Sequence, residues 1–138
     1  MVMANDQDVQ ILTDLSEELN QAAARLEKWQ QLLSANDPNN DVVSHLIGRL
    51  AEQALTVQTQ AVELALAIQD DALESVKAAT VYLRKRADSI ADVNTGIAIC
   101  GGLVALGAAI IAGNPGGSVS AASTLIALIG SVKSGQPA

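Results

Sequence analysis

The sequence predicts an all-α protein in which a long amphipathic helical hairpin with coiled-coil character is followed by a C-terminal hydrophobic helical hairpin. Apolar residues recur at steps of three and four through most of the chain before Val93, which is the period of a helix seam. All fifteen Asp and Glu, and seven of the eight Lys and Arg, lie before Val93, and Lys133 is the one charged residue after it. One Trp, one Tyr and no Phe favour close helix packing through small and aliphatic residues, since a bulky globular core normally uses several aromatics.

The first helix is predicted over residues 5–35. Asp6 and Asp8 lie near its start, where the helix dipole favours negative charge. Its apolar seam consists of Leu12, Leu15, Leu19, Ala22, Leu26, Trp29 and Leu33. A turn around Pro38 follows, because proline stops a helix and the neighbouring Asn and Asp residues tolerate turn geometry. Asp41 is then predicted to cap the N-terminus of the next helix.

The second helix is predicted over residues 42–92, a length of about 75 Å. Its seam begins with Val43, Ile47, Leu50, Ala54, Val57, Ala61, Leu64 and Ile68. The phase then slips by one step of four, and the seam continues as Ala72, Val76, Ala79, Leu83, Ala87 and Ile90. Such a slip locally unwinds a coiled coil. The first helix covers only the first half of the second, so we expect the second half to pack against the apolar hairpin or another subunit.

The charge distribution divides the chain into two parts. Residues 1–92 are an acidic amphipathic part that is predicted to mediate oligomerisation, and residues 93–138 are a membrane-inserting part. Fifteen acidic against seven basic residues give the first part a net charge of −8. This balance argues against nucleic acid as a partner, because phosphate binding requires clustered cations. It also argues against simple electrostatic capture by anionic lipid.

Two apolar runs, residues 95–113 and 118–132, form the predicted membrane hairpin. The first has about the length needed to cross the hydrocarbon core of a bilayer, and neither run contains a charged residue. The turn between them is predicted at Asn114, Pro115, Gly116 and Gly117. The alternative is a soluble bundle that buries both runs, which the high glycine content and the short, serine-containing second run favour.

Small residues recur at every fourth position in both runs. They are Gly101, Ala105, Ala109 and Gly113 in the first run, and Ser123, Ala127 and Ser131 in the second. This spacing gives each helix a smooth face on which neighbouring backbones approach closely. We therefore expect hairpins to pack side by side through these faces.

Basic residues flank the hairpin. Arg84, Lys85 and Arg86 precede it, and Lys133 follows it. Such residues are typical of membrane segments whose ends stay on the cytoplasmic side, so the turn of the hairpin would reach across the bilayer. The alternative for so short a cluster is a solvated helix face near the junction of the two parts.

The sequence offers no catalytic, metal-binding or cofactor-binding set. His45, the single histidine, has no Glu three positions before it, unlike the Glu-x-x-His motif of carboxylate-bridged metal bundles. Cys100 has no second cysteine to pair with and is expected to be a buried thiol, and no nucleophilic arrangement of Ser, Cys and His is recognisable. The N-terminus has no basic region followed by an apolar stretch, so we expect synthesis in the cytoplasm without a signal peptide.

The basic cluster leads into a segment rich in Gly, Ala, Ile and Leu. RKRADSI spans residues 84–90, and GIAICGGLVALG spans residues 96–107. This pattern resembles the hydrophobic hairpins of helical pore-forming proteins, such as colicin pore domains and apolipoprotein L proteins. Long-helix cytolysins of the haemolysin E and Bacillus enterotoxin type are similar in overall plan. The resemblance implies a membrane-inserting all-α protein, and no site residue carries over from it. Since the chain is shorter than those proteins and lacks their additional helices, we expect subunits to share the cover of the hairpin in water.

These features favour a non-enzymatic, membrane-associated protein that oligomerises and inserts its hydrophobic hairpin to permeabilise a bilayer, as a pore-forming toxin or effector. The expected partners are the lipid bilayer and further copies of the chain, and a companion protein is an open alternative. Two other hypotheses stand beside this one. In one, the chain is a membrane-anchored or structural coiled-coil scaffold or adaptor without pore activity. In the other, it is a fully soluble bundle with the hairpin as its core.

Overall fold

The computed structural model describes residues 6–68, 70–86 and 93–130, and the regular structure in these ranges is α-helical. The helices are α1 (Asp6–Leu32), α2 (Asn39–Thr59), α3 (Ala61–Ala67), α4 (Asp70–Arg86), α5 (Val93–Ile111) and α6 (Pro115–Gly130). The prediction of an all-α fold is therefore confirmed.

The helices close into a ring around one hydrophobic core. Helix α1 packs against α2, α2 against α5, α5 against α6 and α6 against α4, which returns to α1. The acidic helices and the α5–α6 hairpin both contribute buried residues to this core. The hairpin is thus part of the wall of the bundle, with one face on the core and the other on solvent.

The predicted seams face the interior. Every seam residue of the first helix is buried, except that Trp29 and Leu33 are half-buried. The second seam is also buried, except that Ile47 is half-buried and its last two positions, Ala87 and Ile90, lie outside the described residues. The period of the apolar residues therefore identified which side of each helix packs inward.

The prediction of one long helix over residues 42–92 is wrong, because the chain forms α2, α3 and α4 instead. A kink lies at Gln60, with φ −108° and ψ 18°, and α3 ends at Ala67, after which the backbone of Ile68 is extended, with φ −99° and ψ 137°. This second break coincides with the slip in the seam after Ile68. A continuous helix would rotate the later seam residues away from the core, whereas a separate α4 keeps them buried against α1 and α6.

The second half of the predicted helix therefore packs against the hairpin of its own chain. Helices α1, α2 and α4 together cover the inner side of α5 and α6. The expected cover shared between subunits is not needed on this side, because the break at Ile68 lets α4 supply it.

The start of α2 also differs from its prediction. The helix begins at Asn39, directly after Pro38, so Asp41 lies in the first turn and is not the cap. The carboxylate of Asp37 accepts a hydrogen bond from the N–H of Asn39 at 2.8 Å, which satisfies one donor at this helix end. Asp41 still lies where the helix dipole favours negative charge.

Candidate membrane-active hairpin and the helices that cover it

Helix α5 is the one described helix that is long and apolar enough to cross a membrane, by length and composition. It has 19 residues and a mean hydropathy of 1.9. Its length is about 28 Å, close to the thickness of a hydrocarbon core. Helix α6 has 16 residues, or about 24 Å. Neither helix contains Asp, Glu, Lys or Arg.

The hairpin separates its side chains by size. Large buried residues face the core, namely Ile99, Leu103, Leu106, Ile110, Leu125 and Ile129. Small residues dominate the solvent face, which includes Ala98, Gly101, Ala105, Ala108, Ala112, Ser120, Ser123, Thr124 and Ala127. No Val, Ile or Leu within residues 93–130 is classed as exposed. An uncharged hairpin thus meets water mainly through small residues, and its large apolar side chains are buried or half-buried.

The chain reverses at Gly113 and Asn114. Gly113 has φ +68°, a conformation that glycine adopts without strain. Its N–H donates to the carbonyl oxygen of Ile110 at 2.9 Å, and the N–H of Asn114 donates to the carbonyl oxygen of Ala109 at 3.0 Å. This pair of bonds is a Schellman motif, which satisfies carbonyl groups at the end of α5.

Asn114 also starts the second helix of the hairpin. Its side-chain oxygen accepts a hydrogen bond from the N–H of Gly117 at 3.0 Å, and its carbonyl oxygen accepts bonds from the N–H and the hydroxyl of Ser118 at 2.9 and 2.8 Å. The predicted turn residues Pro115, Gly116 and Gly117 lie in the first turn of α6, with proline at the position it prefers. The tip therefore pairs these polar groups within the hairpin itself.

Most of the predicted small-residue faces lie outside the contact between α5 and α6, although the Cβ of Ala109 lies 3.5 Å from the position of a Cβ on Gly117. Gly101, Ala105, Ser123 and Ala127 are exposed, Ala109 and Gly113 are half-buried, and Ser131 lies outside the described residues. Gly102 supplies the close approach instead, because a Cβ there would lie 3.3 Å from side-chain carbons of both Leu125 and Leu128. The small-residue faces remain available to other copies, and their use there stays a prediction.

Two other glycines receive large side chains from the covering helices. A Cβ at Gly96 would lie 2.1 Å from Cζ3 of Trp29 in α1, and a Cβ at Gly107 would lie 2.5 Å from Oε1 of Gln53 in α2. These glycines are eleven residues apart, which is about three helical turns, so both recesses lie on the same face of α5. Sequence periodicity identified Trp29 as a packing residue, but it did not identify either recess.

Gln53 is a polar contact between α2 and the hairpin. Its side chain is buried, with 5% of the residue exposed, and Nε2 donates to the carbonyl oxygen of Val104 at 2.9 Å. Oε1 is buried and has no hydrogen-bond partner among the described residues. A buried acceptor without a partner is unfavourable, so this site is where polarity weakens the contact between hairpin and bundle.

The single cysteine lies on the same inward face. Cys100 is buried, as expected, and lines a small cavity of about 10 Å³ together with Trp29, Leu83 and Gly96. The single Trp and the single Cys therefore lie on opposite sides of the contact between α1 and α5.

Arg84 joins α4 to α1 through carboxylates. Its Nε lies 3.0 Å from Oε2 of Glu18, and its Nη2 lies 3.0 Å from Oε2 of Glu17 and 3.6 Å from Oδ1 of Asp14. The Glu18 side chain is 1% exposed, and its Oε1 has no hydrogen-bond partner in the part of the chain that the structure describes. The hydrogen bond that Arg84 donates to the carboxylate of Glu18 raises the pKa of Arg84 above its ordinary value, so the guanidinium remains charged.

The predicted membrane-flanking cations therefore occupy different environments. Arg84 is engaged within the bundle, and the guanidinium of Arg86 lies 5.2 Å from the ring centroid of Tyr82. Lys85 is exposed, and Lys133 lies outside the described residues. Of Arg84, Lys85 and Arg86, Lys85 is the one with no ion pair or ring contact to a described residue.

The described residues include no group of three or more His, Cys, Asp or Glu side chains that could hold a metal ion. His45 lies on the exposed side of α2. The structural features that stand out are thus a self-contained apolar hairpin and the contacts that hold it.

Comparisons of the chain with protein-family models, with curated proteins and with solved structures gave no match. The resemblance to helical pore-forming proteins accordingly rests on the pattern of the sequence.

Proposed function

We propose that this chain is a non-enzymatic, membrane-active protein that keeps its hydrophobic hairpin in a water-compatible bundle and inserts it into a bilayer as an oligomer, which permeabilises the membrane. The observation that carries the proposal is the hairpin tip, where the uncharged helices α5 and α6 meet in a turn that pairs its own backbone groups. Unpaired backbone groups are a main obstacle to entering hydrocarbon. A tip that pairs several of its backbone groups lowers that obstacle at the part that must cross first.

The hairpin loses little hydrophobic free energy when it exchanges the bundle core for lipid. Its large side chains leave one apolar environment for another. The hydroxyls of Ser118 and Thr124 donate to carbonyl oxygens of their own chain one turn earlier, so they need no water. The hairpin is therefore compatible with both surroundings.

The unfavourable part of insertion is the core that the hairpin leaves behind. Helices α1, α2 and α4 would then expose apolar seams to water. Association of these helices between copies would cover the seams again, so the proposal couples insertion to oligomerisation. The short α6 favours a thin or locally thinned bilayer, since its length is about 6 Å less than a hydrocarbon core of about 30 Å.

The experiment is dye release from liposomes by a protein whose hairpin tip is held reversibly in place. The Cβ of Ala67 lies 3.7 Å from the position of a Cβ on Gly113, which suits a disulfide. An Ala67→Cys/Gly113→Cys variant, made with Cys100→Ala, would join the tip to α3. We expect rapid release by the wild type and by the reduced variant, and little release by the oxidised variant.

The oxidised and reduced forms of the double variant can be compared directly, because the strain of a side chain at the positive φ of Gly113 is present in both. A Gly113→Cys single variant with Cys100→Ala is the control, and its release should not depend on reductant. Equal release by oxidised and reduced double variants would show that the hairpin does not move. Absence of release by folded wild type across lipid compositions would remove the proposed function.

A second candidate function is a soluble scaffold or adaptor without pore activity. The size separation on the hairpin favours it, because inward Leu and Ile residues with outward Ala, Gly and Ser residues suit the wall of a soluble bundle. A protein that stays in solution with vesicles and releases no dye would support this candidate.

A further inference from the structure

A second apolar row lies on the outer side of α2 and α3, away from the bundle. We call it the outer seam, and its members are Gly48, Ala51, Leu55, Thr59, Val62 and Leu66. They follow one another at steps of three and four, and all are exposed. Leu55, Val62 and Leu66 are 67%, 54% and 48% exposed, which makes them half of the large hydrophobic residues exposed in the described ranges.

The outer seam points directly away from the core. Val57 and Leu64 are buried, and each lies two residues, or about 200° around the helix, beyond an outer-seam residue. Hydrogen bonds reach the kink from both sides, because the N–H of Gln60 donates to the carbonyl of Thr56 at 3.0 Å and the N–H of Leu64 donates to the carbonyl of Gln60 at 2.8 Å. The exposed row keeps its steps of three and four from α2 into α3.

The outer seam contains no charged residue. Its one polar member, Thr59, directs its hydroxyl to the carbonyl oxygen of Leu55 in the same helix. Single exposed aliphatic residues need no explanation, but a heptad-like row of them on the outside of a helix is typical of a helix-pairing surface.

The geometry points to a second copy of this chain, aligned antiparallel, as the partner of the outer seam. The small members, Gly48 and Ala51, lie at one end and the large members, Val62 and Leu66, at the other. In an antiparallel pair centred near Val57, Leu66 of each copy faces Gly48 of the other. The surroundings of Gly48 are open, with no heavy atom within 4 Å of a Cβ built there. Large side chains would thus fill the spaces beside small ones, as well-packed helix pairs require.

Charge also favours the antiparallel arrangement. Arg49 is the one Lys or Arg in α2 and α3, and it makes no ion pair with a described residue. If the antiparallel pair is centred at Val57, Arg49 of one copy and Glu63 of the other lie at nearly the same height along the helix axis. Their axial offset is about 3 Å. This attraction offsets the repulsion between Glu63 and the second copy's Glu52. A parallel pair would bring the acidic ends at Glu63 together and leave Gly48 opposite Gly48.

The test is disulfide formation in variants made with Cys100→Ala. Gly48→Cys/Leu66→Cys is expected to give a covalent dimer on mild oxidation, while Gly48→Cys and Leu66→Cys alone stay unlinked. The two positions are eighteen residues apart in one chain, or about 27 Å, so no intrachain bond can form. Linkage of either single variant as efficient as that of the double variant would overturn the antiparallel arrangement.

Sedimentation equilibrium of the wild type in detergent-free buffer tests the surface without cysteines. We expect a reversible dimer at concentrations of roughly 100 μM, because three exposed aliphatic residues per copy make a small interface. Leu55→Glu should weaken the dimer at least tenfold, whereas Leu32→Glu, at a residue 82% exposed and off the outer seam, should leave it unchanged. A monomeric wild type, or a dimer indifferent to Leu55→Glu, would overturn the inference.

This inference does not depend on membrane activity. A protein that is monomeric in buffer but releases dye would contradict the outer-seam dimer and support the proposed function. A dimer that releases no dye would support the outer-seam dimer and contradict the proposed function.

Discussion

The indole ring of Trp29 packs directly onto the backbone of Gly96: a Cβ at Gly96 would lie 2.1 Å from Cζ3 of the ring. This contact joins the C-terminal part of α1 to the first turn of the apolar hairpin. Because the ring occupies the space that any side chain would need, the residue at position 96 determines how closely the hairpin approaches its cover.

Gly96→Ala is therefore expected to destabilise the bundle by about 1–3 kcal/mol, since Trp29 must move to accommodate the methyl group. Gly101→Ala is the matched control, because a Cβ there meets no atom within 4 Å and the position is exposed. It should raise stability by up to about 1 kcal/mol through helix propensity. Urea unfolding followed by circular dichroism measures both. Equal effects of the two substitutions would contradict the packing of Trp29 on Gly96.

Gln53→Glu is expected to loosen the hairpin in a pH-dependent way. At neutral pH the variant buries a carboxylate beside the carbonyl oxygen of Val104 and loses the donor, a loss of about 2 kcal/mol or more. Burial and the carbonyl raise the pKa of the introduced carboxyl above its unfolded value, because both disfavour the charged form. The variant should then be closest to wild type at pH values below about 4 and lose stability as the pH rises.

Gln58→Glu provides the control, because it makes the same chemical change at an exposed position of the same helix. Its stability difference from wild type should be small at every pH. Thermal unfolding of both variants between acid and neutral pH gives the comparison. Parallel pH curves for the two would show that Gln53 is not enclosed by the hairpin.

Arg84→Ala is expected to reduce stability by about 1–3 kcal/mol, because it leaves the buried carboxylate of Glu18 without its cation. Lys85→Ala, one residue later and exposed, should change stability by less than about 0.5 kcal/mol. Adding Glu18→Gln to Arg84→Ala should recover part of the loss by removing the unpaired charge. Urea unfolding of the three variants distinguishes a buried ion pair from a surface one, for which the double variant would show no recovery.

The inward side of each helix could be predicted from sequence, but the division of the second helix into α2, α3 and α4 could not. The seam from Val43 to Leu83 is buried nearly as predicted, and its slip after Ile68 marks the place where α3 ends. A slip of one step of four predicts a locally unwound coiled coil, and no Gly or Pro stands between Ile68 and Asp71 to indicate a break. Whether such a slip unwinds or breaks a helix depends on what lies beside it, and α6 lies far along the chain.

The contacts of the hairpin were least accessible to sequence reasoning. Leu46, Leu50, Gln53 and Val57 follow one another at steps of four, three and four residues. A polar residue in that apolar row was the available signal for a polar contact with another helix. Gly107, which receives Gln53, carries no such signal, because the every-fourth-residue spacing of small residues predicts a packing face at Gly101 and Ala105, which are exposed on another side of α5.

That exposed row makes it possible to separate assembly in a membrane from folding in water. Gly101→Leu and Ala105→Leu place a large side chain where the bundle has only solvent, so each should leave the free energy of unfolding within about 0.5 kcal/mol of wild type or raise it slightly. In a bilayer the same side chains would prevent close approach of neighbouring hairpins, so we expect dye release to fall at least tenfold. Ala24→Leu, at an exposed position of α1, is the control for added hydrophobicity and should release dye as the wild type does. Full release by folded Gly101→Leu and Ala105→Leu proteins would exclude packing of hairpins through the small-residue face, because the substitutions leave no room for two backbones to meet there.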